Sequence, residues 1–224
     1  MMCLANFRSN IKVDIEEGKV SVLVIENPSI MRNILLELEA QLQGESGNFV
    51  LSADYEPVSI HKNLVLVKDP LNIDCNDKKI LTKLYQNIAD EEKMHNSTER
   101  DKFDVAYLEY LKELCLLSPL PLAYDERLSL AELLKIAHVV IDHAARNYVE
   151  NLWLYIKVMG ELLHIKVFAF VNLKCFLSND ELNLLYKQCF YEQKLLLLIE
   201  SYDLPFRTDE KKCIVDVDGC VIYC

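Results

Sequence analysis

The segment 165–201 constrains the fold of this chain more than any other stretch. Two short apolar runs, 165–171 and 194–199, flank a region whose apolar residues recur at the spacing of one helical face. Those recurring residues are Leu182, Leu185 and Cys189. Ser178 and Glu181 have the spacing of a capping box, so we predict that a helix begins beside Ser178. A strand, a helix and a strand with short links form a βαβ unit, whose two strands are parallel because the helix crosses back between them.

The second apolar run contains LLLLI, which shows no alternation of polar and apolar residues. A strand of this kind is covered on both faces, as in the interior of an α/β sheet. We therefore predict an α/β fold with a mixed, mainly parallel sheet.

The first seventy residues alternate between predicted strands and one helix. The predicted strands are 11–15, 20–25, 49–53 and 64–67. Asn27 as N-cap and Pro28 at the first helical position start the helix, and Gly44 ends it. From residue 78 to residue 160 the periodicity is helical only, and the polar run 90–102 is predicted to be a mobile link between helices.

These patterns predict a discontinuous core domain with an insertion, which 224 residues can accommodate. The α/β core would comprise residues 1–75 and 163–224, and the inserted helical domain residues 76–162. The tail CIVDVDGCVIYC alternates around Asp218 and Gly219, the residue pair that most favours a hairpin, so we expect it to close one edge of the sheet.

The formal net charge of −11 comes from 35 acidic and 24 basic residues. Such a chain binds nucleic acid only if its Lys and Arg residues gather on one surface or metal ions bridge to the phosphates. No apolar run reaches the roughly 18 residues of a membrane span, so no membrane partner is expected. The start, MMCLANFRSN, lacks a secretory apolar region, which predicts a cytoplasmic protein. The eight cysteines show no C-x-x-C spacing and are predicted to be small buried apolar residues.

Enzymatic chemistry has little support in the sequence. The first strand–loop–helix lies where a nucleotide-binding protein carries its phosphate loop, but no glycine occurs between Gly18 and Gly44. The segment 216–220, DVDGC, imitates the nucleophile loop of haloacid dehalogenase-like phosphatases, with Asp216 as nucleophile. That loop follows the first strand of those phosphatases, so we favour the hairpin interpretation and expect no enzymatic activity.

Acidic residues form one candidate ligand set. Asp125, Glu126 and Glu132 offer hard oxygen ligands at the start of a predicted helix, as Ca²⁺ prefers. The alternative is that acidic residues favour the first turn of any helix.

Basic residues form a second candidate set. Lys135, Arg146 and Lys157 recur every eleven residues, so Arg146 and Lys157 would share a face if one helix contained both. The alternative is a solvated polar stripe.

The order and spacing of four segments resemble the small ring-forming adaptation proteins of type II-A CRISPR systems. The segments are VLVIE followed by a helix, NLVLVKDPLNID, YDERLSLAELLK, and FVNLKCFLSNDEL with LLLLIES. The resemblance covers nearly the whole chain. It implies an α/β core related in shape to P-loop ATPases but lacking their motifs, with an inserted helical domain.

The same resemblance implies a function and partners. Proteins of this family form homotetrameric rings that take the ends of linear double-stranded DNA into a lysine-lined hole, with bound Ca²⁺ supporting assembly. They assist spacer acquisition beside the CRISPR integrase and the RNA-guided effector nuclease, without catalytic activity. A ring that is acidic outside and basic inside would reconcile DNA binding with the net charge.

The resemblance also assigns site residues. The acidic segment of the family maps onto Asp125, Glu126 and Glu132, although Pro121 and Ala123 stand where relatives tend to carry further acids. For DNA binding, Lys135 falls in the basic segment that follows those acids. Lys62, Arg146 and Lys157 are added from their spacing alone.

Two other functions remain open at this stage. An adaptor that works only through protein partners, with no direct DNA contact, is the main alternative, because the chain is acidic. A phosphatase or nucleotidase using Asp216 is the other.

Overall fold

The computed structural model describes residues 1–95, 98–142, 147–205 and 207–223. The strands are β1 (Met2–Asn6), β2 (Ile11–Ile15), β3 (Val20–Ile25), β4 (Phe49–Ala53), β5 (Glu56–Val58), β6 (Leu64–Val67), β7 (Val167–Val171), β8 (Leu195–Glu200), β9 (Glu210–Val215) and β10 (Val221–Tyr223). The helices are α1 (Pro28–Leu42), α2 (Ile60–Asn63), α3 (Lys78–His95), α4 (Thr98–Leu116), α5 (Leu130–Ile136), α6 (Tyr148–Leu163) and α7 (Asn179–Tyr191). A 3₁₀ turn, Leu173–Cys175, follows β7.

The chain forms two compact units, residues 1–75 with 143–224 and residues 76–142. The boundary after residue 75 is the one drawn from the sequence, whereas the second boundary lies at 142/143 instead of 162/163. The difference is α6, which packs against α7 of the first unit. Its inner side chains, Val149, Leu152 and Ile156, are buried.

A six-stranded sheet in the order β10-β9-β3-β8-β7-β6 forms the centre of the first unit. Every pairing in it is parallel except β9 with β10. All residues of β3 and β7 are buried, as expected for strands covered on both faces. The predicted βαβ unit is β7, α7 and β8, and the α/β class with a mainly parallel sheet is confirmed.

A second sheet, antiparallel and in the order β2-β1-β4-β5, covers one face of the first. Its inward residues pack with α1 and with alternate residues of the central strands, for example Leu23 and Leu197. Strands β2 and β3 follow one another in the sequence but belong to different sheets.

Local side-chain contacts explain where the helices begin and where the tail turns. Asn27 accepts hydrogen bonds from the backbone N–H groups of Ser29 and Ile30, at 2.9 and 3.3 Å, and Pro28 is the first residue of α1. The predicted capping box at Ser178 is present at the start of α7. The predicted hairpin joins β9 and β10, and in its turn Gly219 has a φ of +85°.

The second unit consists of helices, as predicted, but most of the run 90–102, which was predicted to be a mobile link, is helical; residues 96 and 97 of that run lie outside the described residues. Helix α3 continues to His95 and α4 begins at Thr98. The polar run is rich in helix-forming Glu and Lys and carries ion pairs three residues apart, Lys93 with Asp90 and Lys102 with Glu99. Helices α3 and α5 pack on each other. None of the helices among the described residues is both long enough and apolar enough to cross a membrane.

A buried polar cluster lies on the face of the central sheet opposite α1. Lys174 Nζ is 2.8 Å from the Glu210 carboxylate, and the Tyr186 hydroxyl donates to Glu210 Oε1 at 2.9 Å. Glu200, at the end of β8, accepts a hydrogen bond from the Lys174 backbone N–H at 3.2 Å. Burial raises the pKa of Glu200 to about 7, which the Lys174 N–H and ammonium groups offset only in part.

We expect Glu200→Gln to flatten the pH dependence of stability. The folded protein holds the Glu200 proton up to about pH 7, whereas the unfolded chain loses it near the ordinary value of 4.5. The free energy of unfolding of the wild type should therefore fall as the pH rises through this window, by about 3 kcal/mol relative to the variant. Urea unfolding of both proteins between about pH 5 and pH 8 measures the difference, and parallel curves would contradict the assignment.

Candidate nucleic-acid interface

Four lysines lie at the amino ends of four adjacent parallel strands. Lys19, Lys194 and Lys166 directly precede β3, β8 and β7, and Lys62 lies two residues before β6. Parallel strands begin at one edge of a sheet, so these four residues, of which Lys62 belongs to helix α2, lie in a row along that edge and are here called the amino-edge lysines. With a strand spacing of about 4.8 Å the row is roughly 15 Å long. Lys194 is half-buried and the other three are exposed.

The register of the sheet places Lys166 and Lys194 side by side. Val167 pairs with Leu195, so the residues before them are neighbours as well. Among the described residues, no carboxylate forms an ion pair with any of the four lysines. Adjacent like charges are unfavourable in a sheet. A row that keeps them together without acidic partners is therefore suited to an anionic ligand.

A cavity of about 450 Å³ opens at the centre of this edge. Lys166, Lys194 and His164 line it together with two acids, Glu17 and Asp54. Asp54 is already paired with the amino group of Met1 at 3.2 Å. The cavity therefore contributes more unpaired positive than negative charge to the amino edge.

Lys194 also approaches the last turn of α6. A Cβ atom at Gly160 would lie 2.9 Å from Lys194 Nζ, so a larger residue there would displace the flexible end of the lysine side chain. The last carbonyl groups of a helix carry partial negative charge and favour a cation at this place. Lys194 Nζ thus lies close to the carboxyl end of α6.

The structure places the predicted DNA-binding residues in different parts of the chain. Lys62 is one of the amino-edge lysines. Lys157 is exposed on α6 with its Nζ 3.8 Å from Glu161, and Lys135 is exposed in the last turn of α5, in the second unit. Arg146 lies outside the described residues, and α6 begins after it, at Tyr148.

Sequence reasoning missed Lys19, Lys166 and Lys194. Their common feature is visible in the sequence, because each directly precedes an apolar run that was predicted to be a strand or lies at its first residues. The order of the strands, which makes these lysines neighbours, is not visible in the sequence.

The three predicted calcium ligands do not come together. Asp125 and Glu126 are exposed before α5, whereas Glu132 accepts hydrogen bonds from the Ser129 hydroxyl at 2.5 Å and from the Ser129 N–H at 3.0 Å. These bonds hold the pKa of Glu132 below its ordinary range. Within the described ranges, no three His, Cys, Asp or Glu side chains lie close enough to hold a metal ion.

The two loops considered for phosphate chemistry have structural roles. The Asn27 side chain occupies the N–H groups of Ser29 and Ile30 at the start of α1, where a phosphate loop would offer its amides. The Asp216 carboxylate accepts from the backbone N–H groups of Asp218 and Cys220, at 3.0 and 2.8 Å, and so shapes the hairpin turn.

Comparison with known protein sequences identifies the family of this chain. The sequence model of the family described as CRISPR-associated protein (Cas_Csn2) matches residues 41–219. The chain belongs to the CRISPR-associated protein Csn2 family. The predicted family resemblance is thereby confirmed, and it links the chain to the CRISPR system. The match to the Csn2 family includes Lys62, Lys166 and Lys194, and begins after Lys19.

A curated relative carries the same family name. The CRISPR-associated protein Csn2 of Streptococcus agalactiae is 30% identical over 147 residues, which are 63% of this chain and 66% of that protein. The matched region thus spans just under two thirds of the length of this Csn2 relative.

Solved structures with a similar backbone fold include components of ABC transporters. The cbiO1 protein from Clostridium perfringens, part of the ABC transporter complex cbiONQ, has a TM-score of 0.49 at 12% identity, with 99% of this chain and 86% of that chain covered. A putative ABC transporter ATP-binding protein from Pyrococcus furiosus has a TM-score of 0.42 at 8% identity, with 94% and 96% covered.

Proposed function

We propose that this Csn2-family chain binds the ends of linear double-stranded DNA without sequence preference, as a homotetrameric ring. In this role it assists CRISPR spacer acquisition beside the integrase and the RNA-guided effector nuclease. The chain itself carries out no catalytic step. The amino-edge lysines are the observation that carries the proposal.

The chemistry of these lysines fits the DNA backbone. Double-stranded DNA presents one negative charge per ≈ 1.7 Å of its axis, and lysine ammonium groups neutralise phosphates as point charges. Contacts to phosphate oxygens position a protein on DNA but carry no sequence information. A row of unpaired lysines roughly 15 Å long on an acidic protein therefore supports binding to the backbone rather than to the bases.

The second unit supports self-association. Three leucines at the end of α4 and after it are exposed to an unusual extent: Leu116 by 84%, Leu117 by 81% and Leu120 by 68%. Contiguous exposed apolar surface marks sites of protein association. A closed ring would cover this surface and turn the acidic remainder of each chain outward, which reconciles DNA binding with a net charge of −11.

Calcium enters the proposal as a ligand of the assembled ring. Ca²⁺ takes 6–8 oxygen ligands, and a single chain does not group three acidic side chains among its described residues. Glu132 already caps α5 through Ser129, which leaves Asp125 and Glu126 as the predicted carboxylates able to turn to the ion. A neighbouring subunit and water would supply the remaining oxygens.

Replacement of all four amino-edge lysines by Gln should lower the salt dependence of DNA binding. Each phosphate contact contributes about 0.9 to the slope of log K against log salt, so the slope should fall by about 3–4. Titration with a labelled linear duplex between about 50 and 200 mM salt measures the slope.

Tryptophan fluorescence tests whether α6 also contacts the DNA. Trp153, the only tryptophan of the chain, lies one turn before Lys157 on this helix.

Lys68→Gln is the matched control, because Lys68 follows β6 at the opposite edge of the same sheet. It should leave the salt slope unchanged. An unchanged slope in the fourfold variant, or tighter binding to closed circular than to linear duplex, would overturn the proposal. Absence of any DNA binding by the wild type would favour the protein adaptor instead.

Leu117→Asp should reduce the mass of the assembly in light scattering. A carboxylate in the centre of an apolar contact is desolvated without a partner, which disfavours association. Phe7→Asp makes the same change at a residue of the first unit that is 75% exposed, and should leave the mass unchanged. Equal masses for both variants and the wild type would show that the leucines are not at a subunit contact.

Light scattering also tests whether Ca²⁺ supports assembly. The wild type should have a larger mass in Ca²⁺ than in a chelator, and the double variant Asp125→Asn, Glu126→Gln should lose this difference. Both substitutions keep the shape of the side chains and leave the Ser129–Glu132 capping box intact. Equal wild-type masses in Ca²⁺ and in the chelator would contradict a role of calcium in assembly.

A further inference from the structure

A second cavity lies at the opposite, carboxyl edge of the central sheet, and the proposed DNA contacts do not use it. Its volume is about 540 Å³, within the ≈ 300–1,000 Å³ of small-molecule sites. Ile25 and Met31, both buried, form an apolar floor together with Leu35. Leu36 and Tyr202 stand on its rim, exposed by 58% and 74%.

The topology of the sheet favours a ligand at this place. The chain leaves β3 through α1 and returns to the sheet at β6, whereas it leaves β8 for β9 on the other side of β3. Strands β3 and β8 are neighbours, and their outgoing connections run in opposite directions along the sheet beside the cavity. In open α/β sheets, ligands bind outside the carboxyl ends of the strands, at the point where the direction of the connections reverses.

The charged groups around the cavity leave one cation without a partner. Lys68 is paired with Glu39, and both line the cavity. Arg32 also lines it and is exposed, and no carboxylate of the described residues forms an ion pair with it. Glu26, an exposed acid, is the opposing charge on the rim. The cavity therefore presents an apolar floor beside one free guanidinium group.

The start of α1 limits how much negative charge a ligand can carry. The N–H groups of Ser29 and Ile30 are engaged by the Asn27 side chain, which is itself fixed by donating to the Val217 carbonyl at 2.8 Å. No glycine in this connection lets the backbone close on phosphates. A polyphosphate chain would thus meet one unpaired arginine, and it would find the N–H groups of Ser29 and Ile30 already engaged.

We propose that this cavity binds a small amphipathic organic anion, with an apolar or aromatic body and a single carboxylate, sulfonate or phosphate group. The body lies on Ile25, Met31 and Leu35 between the rim residues Leu36 and Tyr202. The anionic group accepts hydrogen bonds from the Arg32 guanidinium. This site is independent of the amino edge, so it stands or falls apart from the DNA proposal.

Methionine methyl groups provide a site-specific test. The chain has five methionines, and Met31 is the one on the cavity floor, while Met94 reports on the exposed surface of the second unit and Met159 on the buried face of α6. With isotope-labelled methionine methyl groups, titration of the protein with anilinonaphthalene sulfonate should shift the Met31 signal saturably and leave Met159 in place. Its neutral analogue phenylnaphthylamine should bind more weakly.

Substitutions test which residues recognise the anionic group of the ligand. Arg32→Gln should weaken the sulfonate by roughly tenfold, the loss of one charge-assisted hydrogen bond, and leave the neutral analogue unchanged. Glu26→Gln should strengthen sulfonate binding, and Arg8→Gln, the same change at an exposed arginine elsewhere in the first unit, should have no effect. The proposal would be overturned if Met31 did not shift or if only Met94 shifted. It would also be overturned if the Arg32→Gln variant bound the sulfonate like the wild type, or if a nucleoside triphosphate bound more tightly than the corresponding nucleoside monophosphate.

Discussion

Lys174→Met is expected to lower the free energy of unfolding by about 3–5 kcal/mol. Lys174 and Glu210 are 3% and 0% exposed, and the variant leaves the Glu210 carboxylate buried with the Tyr186 hydroxyl as its direct hydrogen-bond donor. Arg207 lies nearby, with Nε 3.6 Å from Glu210 Oε1, and softens the loss only in part. Urea unfolding at neutral pH measures the change.

A second substitution separates the loss of the ion pair from the loss of packing. The double variant Lys174→Met, Glu210→Met removes both charges from the apolar interior and should recover most of the lost stability. Lys211→Met is the control beside Glu210: the Lys211 side chain is 43% exposed and its Nζ is 3.4 Å from Glu16, so the cost should stay below about 1 kcal/mol. If the single variants at 174 and 211 lost equal stability, the buried pair would have no special role.

Leu152→Ala should cost about 2–5 kcal/mol, because it opens a cavity under α6. Leu152 is fully buried in the first unit. The loss should therefore appear as faster hydrogen exchange in β7, β8 and α7, measured by mass spectrometry under native conditions. Peptides from α3 should keep their protection.

Leu154→Ala makes the same change at a half-buried residue of the same helix and should cost less than about 1 kcal/mol. The outcome also decides the domain boundary. If α6 belonged to the helical insertion, as the boundary at 162/163 implies, Leu152→Ala would deprotect α3 and leave β8 unchanged.

The elements that the sequence predicted well are those with local causes. The start of α1 follows from Asn27 and Pro28, the start of α7 from its capping box at Ser178, and the β9–β10 turn from Gly219. Each of these depends on side chains within a few residues of the backbone groups that they satisfy. The parallel pairing of β7 and β8 follows from the helix between them.

Elements defined by distant contacts were missed or misplaced. Strand β1 is paired on both sides, with β2 and β4, and its residues gave no usable pattern before those partners were known. Helix α6 has the same periodicity as the helices of the insertion, so only its packing on α7 shows that it belongs with the sheet. Residues 90–95 and 98–102 were wrongly assigned to a link, because the polarity of that run outweighed its helix-forming composition.

The candidate site shows the same division. Lys62 was selected from the sequence, but its neighbours Lys19, Lys166 and Lys194 become a group only through the strand order. The acidic set was selected by residue type, and one member, Glu132, is engaged in capping its own helix. Residue type alone does not distinguish a free carboxylate from one that is already bonded.

The position of β3 also has a consequence for biosynthesis. This strand belongs to the first part of the chain, yet both of its neighbours, β8 and β9, come from the last quarter. Until the ribosome has released β8, both hydrogen-bonding edges of this apolar strand are unpaired, and one edge stays unpaired until β9 has followed, a state that favours aggregation. The helical insertion emerges in between and is complete in sequence before either neighbour appears. Nascent chains of this protein should therefore depend on chaperones until β9 has been synthesised.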